Sequence, residues 1–312
     1  MTALFTFAGQ GAQRPGMLAD LPDSAAVQAT LAEAADVLDR DTAELDTAAA
    51  LADTETVQVA LTVVGVAAAR ELAARGAEPS AVMGLSIGAW PAAVVADALD
   101  FADALRLVAR RGALMRDAFP EGHGMAAVIG LEEAPVRALV EAARAEGWIV
   151  YVGNINSDRQ IAVAGRDDAL AHIRERALAA GASRVVRLDM AVPSHCELLA
   201  APAETLAEVA AGVTFRTPRC AYFSANARRR LWRAAAVRDD LVHNMARPVY
   251  WAASARIAAE SGFALAVEMP PARVLTGLHP DVAPPGEAVA VVDAGWHNAA
   301  ALIARAAVRD DR

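Results

Sequence analysis

The chain has 312 residues, of which 55% are hydrophobic and 21% charged, with a formal net charge of −9. This composition supplies a core for one large domain, or for a large domain carrying a small one, and excludes a mainly disordered chain. The acidic balance argues against a nucleic-acid or anionic-membrane surface, and the absence of any lysine excludes Schiff-base chemistry, pyridoxal anchoring and a P-loop.

Residues 3–8 are short, apolar and bounded by glycine, which predicts a buried strand. After an alanine-rich amphipathic region, residues 56–74 read as a long buried helix. Residues 81–85 predict a second buried strand, and residues 87–96 and 101–118 predict helices. Strands alternating with helices imply an α/β fold whose mostly parallel sheet is covered on both faces. The pattern changes after Pro120. Residues 125–129, 148–152, 161–164 and 183–190 read as strands, with helices over 134–145 and 168–180. That order, β-α-β-β-α-β, is the order of a ferredoxin-like unit. It predicts a small domain at residues 123–193 inserted into a large one at 1–122 and 194–312. The α/β pattern resumes with a helix over 195–211 and a strand over 220–224. Helices around 239–245 and 250–261, strands at 265–267 and 288–292, and a last helix from residue 295 follow. The N-terminus lacks a basic segment, and the uncharged stretch at 79–96 contains Gly84, Ser86, Gly88 and Pro91. The expectation is a cytoplasmic protein with neither signal peptide nor membrane span.

Two cysteines, Cys196 and Cys220, are too few for a disulfide framework, and no zinc-type spacing is present. Ser, His, Arg, carboxylates and the backbone remain as the available chemistry, with no cofactor expected. Gly84-Leu85-Ser86-Ile87-Gly88 matches G-x-S-x-G at the end of a predicted strand and the start of a helix. Two glycines permit the sharp turn that lifts a serine hydroxyl above a sheet, and the Ile87 N–H then points at the oxygen of whatever Ser86 attacks. Of six histidines, His195 stands out in Pro193-Ser194-His195-Cys196-Glu197. Ser194 and Glu197 form a capping box that predicts His195 in the first turn of a helix, where the helix N-terminus keeps imidazole neutral. On the helix over 101–118, Arg110 shares a polar stripe with Asp103, Arg106 and Asp117. Arg111 instead shares a stripe with Ala104, Leu107, Leu114 and Ala118. A guanidinium among aliphatic neighbours suits bidentate capture of a carboxylate.

These motifs, with Gly9-Gln10-Gly11-Ala12-Gln13, Gly16-Met17, Arg247-Pro248-Val249-Tyr250-Trp251 and Val274-Leu275-Thr276-Gly277-Leu278, resemble the malonyl-CoA:acyl-carrier-protein transacylase family over nearly the whole chain. The resemblance implies an α/β-hydrolase-like large domain with a ferredoxin-like small one. By position it makes Ser86 the acylated nucleophile, His195 the base and Arg111 the partner of the malonyl carboxylate. It places the oxyanion hole at the backbone N–H groups of Gln10 and Ile87. Asn244 stands where the family has Gln, whose main-chain carbonyl orients the histidine. Malonyl-CoA and a carrier protein bearing a CoA-like arm are the implied partners.

Leu85 before the serine, Ala89-Trp90-Pro91 after the second glycine, the Gly-Gln-Gly-Ala-Gln-Arg-Pro-Gly-Met-Leu opening at residues 9–18, and Asn154-Ile155-Asn156 look most like the epsilon subunit of malonate decarboxylase. That subunit loads a carrier subunit bearing a phosphoribosyl-dephospho-CoA arm. The alternative is a transacylase of fatty-acid or polyketide synthesis. An α/β-hydrolase esterase would need an acid between Ser and His in chain order and leaves Arg111 without a role. A non-catalytic docking subunit would not need Ser86, His195 and Arg111 together. Arg228-Arg229-Arg230 with Trp232 and Arg233 is the densest basic cluster of this acidic chain, a candidate docking patch for an acidic carrier.

Overall fold

The computed structural model of the protein describes residues 3–263, 265–282 and 286–308. The chain opens with β1 (Ala3–Phe7), buried at every residue. It passes through α1 (Ala25–Leu38) and α2 (Thr54–Ala74) to β2 (Ala81–Gly84), which lies parallel to β1. Ser24 and Asp53 cap the two helices, each side chain accepting a first-turn backbone N–H. Because α2 is buried around almost its whole circumference, its sequence shows an apolar run rather than one apolar face. The short α3 (Ala89–Val95) and the amphipathic α4 (Phe101–Ala118) follow, with α4 packed on α2. The uncharged stretch at 79–96 is thus divided among a strand, a turn and a helix, as its glycines predict.

Beyond Pro120 a second sheet forms from β3 (His123–Ile129), β4 (Val150–Ser157), β5 (Gln160–Arg166) and β6 (Arg184–Arg187), with α5 (Glu133–Ala145) between β3 and β4 and α6 (Asp167–Ala179) between β5 and β6. Its strands are antiparallel in the order β4-β5-β3-β6, and both helices lie on one face. Val136, Val140, Leu170 and Ile173 close a separate small core over Val128, Val152 and Val163. This is the β-α-β-β-α-β unit that the sequence pattern predicts.

The chain then returns through α7 (Ala200–Ala210) to β7 (Ala221–Ser224), β8 (Arg229–Leu231), α8 (Ala234–His243), α9 (Trp251–Glu260), β9 (Leu265–Glu268) and α10 (Val274–Val282). It ends with β10 (Glu287–Ala290), α11 (Val291–Ala294) and α12 (Trp296–Val308). The larger sheet runs β10-β9-β1-β2-β7-β8, parallel throughout except for the antiparallel edge strand β8. The two sheets are joined by backbone: the Ile155 N–H donates to Val249 O at 2.7 Å and the Val249 N–H to Gly153 O at 2.8 Å. An ion pair between Arg256 and Asp158 at 2.6 Å lies beside this junction. One reading of the sequence is corrected here. The helix expected from residue 195 begins only at Ala200, after a 3₁₀ turn at Glu197–Leu199. The arginine cluster, for which the sequence suggested no element, carries the edge strand β8.

At the active end of β2 the backbone is crowded. A Cβ on Gly84 would overlap the Gly88 backbone, and a Cβ on Gly88 would overlap the Phe7 carbonyl. Glycine is required at both positions for β1, β2 and the turn after β2 to pass this close. Gly88→Ala should therefore lower stability by about 1–3 kcal/mol or more through forced backbone movement. The check is the urea midpoint, and a midpoint equal to the parent's would show that the crossing tolerates a methyl group.

Candidate active site

The turn after β2 positions Ser86. The Leu85 N–H donates to Phe7 O at 2.9 Å, and Ser86 then turns into the left-handed region at φ 56°, starting a 3₁₀ turn that runs into α3. A non-glycine residue adopts that conformation at a cost, which the packed backbone around Gly84 and Gly88 holds in place. Its hydroxyl is brought to 2.7 Å from His195 Nε2.

His195 is also left-handed, at φ 65°, and lies in a loop. The reading that places it in the first turn of a helix is corrected. Its backbone N–H donates to Met245 O at 2.7 Å, so a contact fifty residues away in sequence sets the local conformation. The capping box does not form, because the Glu197 carboxylate pairs with Arg144 of α5 at 2.6 Å. His195 Nδ1 lies 2.7 Å from the main-chain carbonyl of Asn244. A carbonyl only accepts, so Nδ1 carries the proton and Nε2 presents its lone pair to the Ser86 hydroxyl. Burial, followed by the nearby Arg111 charge, pushes the imidazole down to about 4 from its ordinary 6.5. The neutral ring expected from the sequence thus has a different cause, burial and a cation rather than a helix terminus.

Arg111 projects from α4 and is completely buried. It donates from Nη1 to Gln58 Oε1 at 2.5 Å and from Nη2 to Asn244 Oδ1 at 3.0 Å, while Nε has no partner. No carboxylate touches it among the described residues. Ser86, Ile87, His195, Arg111 and Gln10 all line one cavity of about 210 Å³, whose far wall is β4, β5 and the segment after β6. A groove of about 890 Å³, between the segment leading into α2 and the α6–β6 side of the smaller sheet, shares Gln10, Leu188 and Met190 with that cavity.

All six residues singled out in the sequence therefore meet at one place. Asn244 does more than expected. Besides its carbonyl contact, its side chain donates from Nδ2 to Ser86 O at 3.2 Å. Gln58 was missed, although a glutamine inside the apolar run of α2 was a visible signal. Two buried acids are committed elsewhere: Asp240 accepts from Ser224 and Tyr222, and Glu268 accepts from the Leu275 and Thr276 N–H groups. The other histidines lie apart from the cavity.

Residues 4–292 match the model of the acyl transferase domain family. The malonyl CoA-acyl carrier protein transacylase of Escherichia coli K12 is 40% identical over 280 residues, covering 88% of this chain and 90% of that protein. The chain is a member of the malonyl-CoA:acyl-carrier-protein transacylase family. Among solved structures, the transacylase from Coxiella burnetii superposes with a TM-score of 0.92 at 31% identity, covering 98% of each chain. A malonyl-transacylase solved in complex with a type II polyketide acyl-carrier protein superposes with a TM-score of 0.90 at 35% identity, covering 98% of this chain and 99% of that one. As a transacylase the protein is an acyltransferase with an α/β fold, as the sequence motifs imply.

The electrostatics of this transacylase site are open to direct titration. The neutral His195 signal should persist on acidification through pH 5 and titrate near 4 by NMR. Arg111→Ala removes a cation that disfavours imidazolium, so the midpoint should rise while staying below 6.5, because burial is the larger cause. A parent midpoint at or above 6.5 would contradict the burial seen here.

Proposed function

We propose that the protein transfers malonyl from malonyl-CoA to a carrier-protein thiol through a malonyl ester on Ser86. The observation that carries this reading is the fully buried Arg111, without a carboxylate partner, in the same cavity as the paired Ser86 and His195. Ser86 Oγ attacks the thioester carbonyl as its proton moves to His195 Nε2. The Gln10 and Ile87 N–H groups receive the oxyanion, and the imidazolium is stabilised by the Asn244 carbonyl. Collapse breaks the C–S bond, and His195 returns its proton to the leaving CoA sulfur. In the second half-reaction the carrier thiol attacks the ester, its proton passes to His195 and then to Ser86 Oγ, and the serine is regenerated. The acyl carboxylate pairs with Arg111 throughout, and the adjoining groove of about 890 Å³ offers room for a long thioester arm. No metal or organic cofactor takes part in this scheme, which belongs to a cytoplasmic enzyme.

The relatives above carry acyl carrier protein in their names, which favours an acyl carrier protein of fatty-acid or polyketide synthesis as the acceptor. The malonate decarboxylase carrier subunit is the second reading, and it rests on Leu85, Ala89-Trp90-Pro91, the opening at residues 9–18 and Asn154-Ile155-Asn156.

Incubation with malonyl-CoA followed by mass spectrometry should trap a malonyl group on Ser86, and Ser86→Ala should abolish it. In the same assay Arg111→Ala should cost malonyl loading about 2–5 kcal/mol, the range for unpairing a buried charge, and acetyl loading far less. Normal steady-state transfer by Ser86→Ala, or equal losses for the two acyl groups, would overturn the reading.

Carrier docking is proposed at β8. Arg228 stacks on Tyr250 and Arg230 on Trp232, and Trp232 is 61% exposed. Unlike Arg70, Arg116, Arg216 and Arg247, these arginines have no carboxylate partner among the described residues, so an acidic carrier would supply it. The triple Arg228/Arg229/Arg230→Ala variant should raise KM for carrier and leave Ser86 loading unchanged. The difference should shrink above about 0.15 M salt, where the Debye length is roughly 8 Å. Assay with both an acyl carrier protein and a decarboxylase carrier subunit identifies the acceptor, and a parent-like carrier KM with both shows that docking occurs elsewhere.

A further inference from the structure

We infer that the uncharged amides of Gln58 and Asn244 set the acyl selectivity of this site, by holding Arg111 without neutralising it. The inference rests on the malonyl-transfer reading and goes beyond it to residues that never touch the acyl group's reacting atoms.

The protein has 38 acidic residues, and its exposed arginines use them freely. Arg116 meets Asp53 and Glu55, Arg216 meets Asp97 and Asp100, and Arg70 meets Glu33. Among the described residues, the one completely buried arginine is arranged the other way, with two amide oxygens and no counter-ion. A buried cation is normally the group most in need of a carboxylate. Here two hydrogen bonds orient the guanidinium, while its full charge and its remaining donors are left to the cavity it lines.

Each amide is fixed so that oxygen, not nitrogen, faces Arg111. Asn244 Nδ2 is engaged by Ser86 O, and Gln58 Nε2 lies 3.4 Å from Met115 Sδ. Asp at 244 would set a carboxylate against the Ser86 carbonyl and against Arg111, and Glu at 58 would do the latter alone. Either change gives Arg111 an internal counter-ion that competes with the malonyl carboxylate and is indifferent to a neutral acyl group. Gln58 and Asn244 are thus positioning residues whose neutrality is the functional property.

The test is single-turnover acylation of Ser86 by malonyl-CoA and by acetyl-CoA in the parent, Gln58→Glu, Asn244→Asp and Gln58→Leu. The malonyl/acetyl rate ratio should fall about 100-fold in the two acid variants, within the range for close charge pairs. In Gln58→Leu, which removes the amide without adding charge, it should fall by less than about tenfold. A folded acid variant with the parent's ratio overturns the inference. So does a Gln58→Leu ratio as low as that of Gln58→Glu, since orientation rather than neutrality would then govern selectivity. If neither acid variant folds, the Gln58→Leu ratio decides: a fall of less than about tenfold supports the inference, and an unchanged or collapsed ratio overturns it. A parent that fails to acylate Ser86 with malonyl-CoA defeats the transfer reading itself, a separate outcome.

Discussion

A guanidinium at full burial carries a desolvation penalty of several kcal/mol, and the surrounding structure has to hold it in place without discharging it. Arg111 lies where α4 packs against α2, with Gln58 on one side and Asn244 on the other. Its charge lowers the basicity of His195, and its position fixes which end of the cavity accepts an anion. α2 must be buried nearly all round to bring Gln58 to this point, and the 3₁₀ turn after α8 must close over it to bring Asn244. Much of the large core therefore serves to keep one cation dry.

Ser86 and His195 are paired with no acidic third member among the described residues. A main-chain carbonyl fixes the imidazole tautomer, which a carboxylate does in hydrolases of the G-x-S-x-G type. An acid beside His195 would raise its basicity and would also lie close to Arg111, where it would neutralise the charge the substrate needs. The buried acids of the larger sheet are instead committed to holding secondary structure: Asp240 ties β7 to α8, and Glu268 caps the N-terminal N–H groups of α10. Among the described residues neither His195 nor Arg111 has a carboxylate partner, and the two absences form one electrostatic arrangement.

The second sheet completes the site. The larger sheet places Gln10, Ser86 and Ile87 just beyond the C-terminal ends of the parallel strands β1 and β2, a position where ligands bind in open α/β sheets, and α4 brings Arg111 to the same cavity. β4, β5 and the segment after β6 supply the opposite wall, with Asn154 and Met125 facing Ser86 across the cavity. The backbone pairing between β4 and Val249 fixes that wall directly to the loop following Asn244. The wall and the histidine-orienting carbonyl are therefore set by the same short segment.

The sequence by itself determined the α/β class, the β-α-β-β-α-β unit, the bounds of α4 and the candidacy of Ser86 and Arg111. Each of these depends on near neighbours: apolar periodicity within one helix or strand, or glycines two residues from a serine. Tertiary structure alone decided the conformation of His195, since Met245 and Asn244 hold it in a left-handed loop that the local Ser-x-x-Glu pattern misreads as a helix start. It also decided that β8 pairs as an edge strand, because three residues flanked by arginine carry no periodicity and become a strand only against β7. The partners of Arg111 were likewise illegible, since Gln58 and Asn244 lie far from it along the chain and only packing brings their amide oxygens to the buried guanidinium.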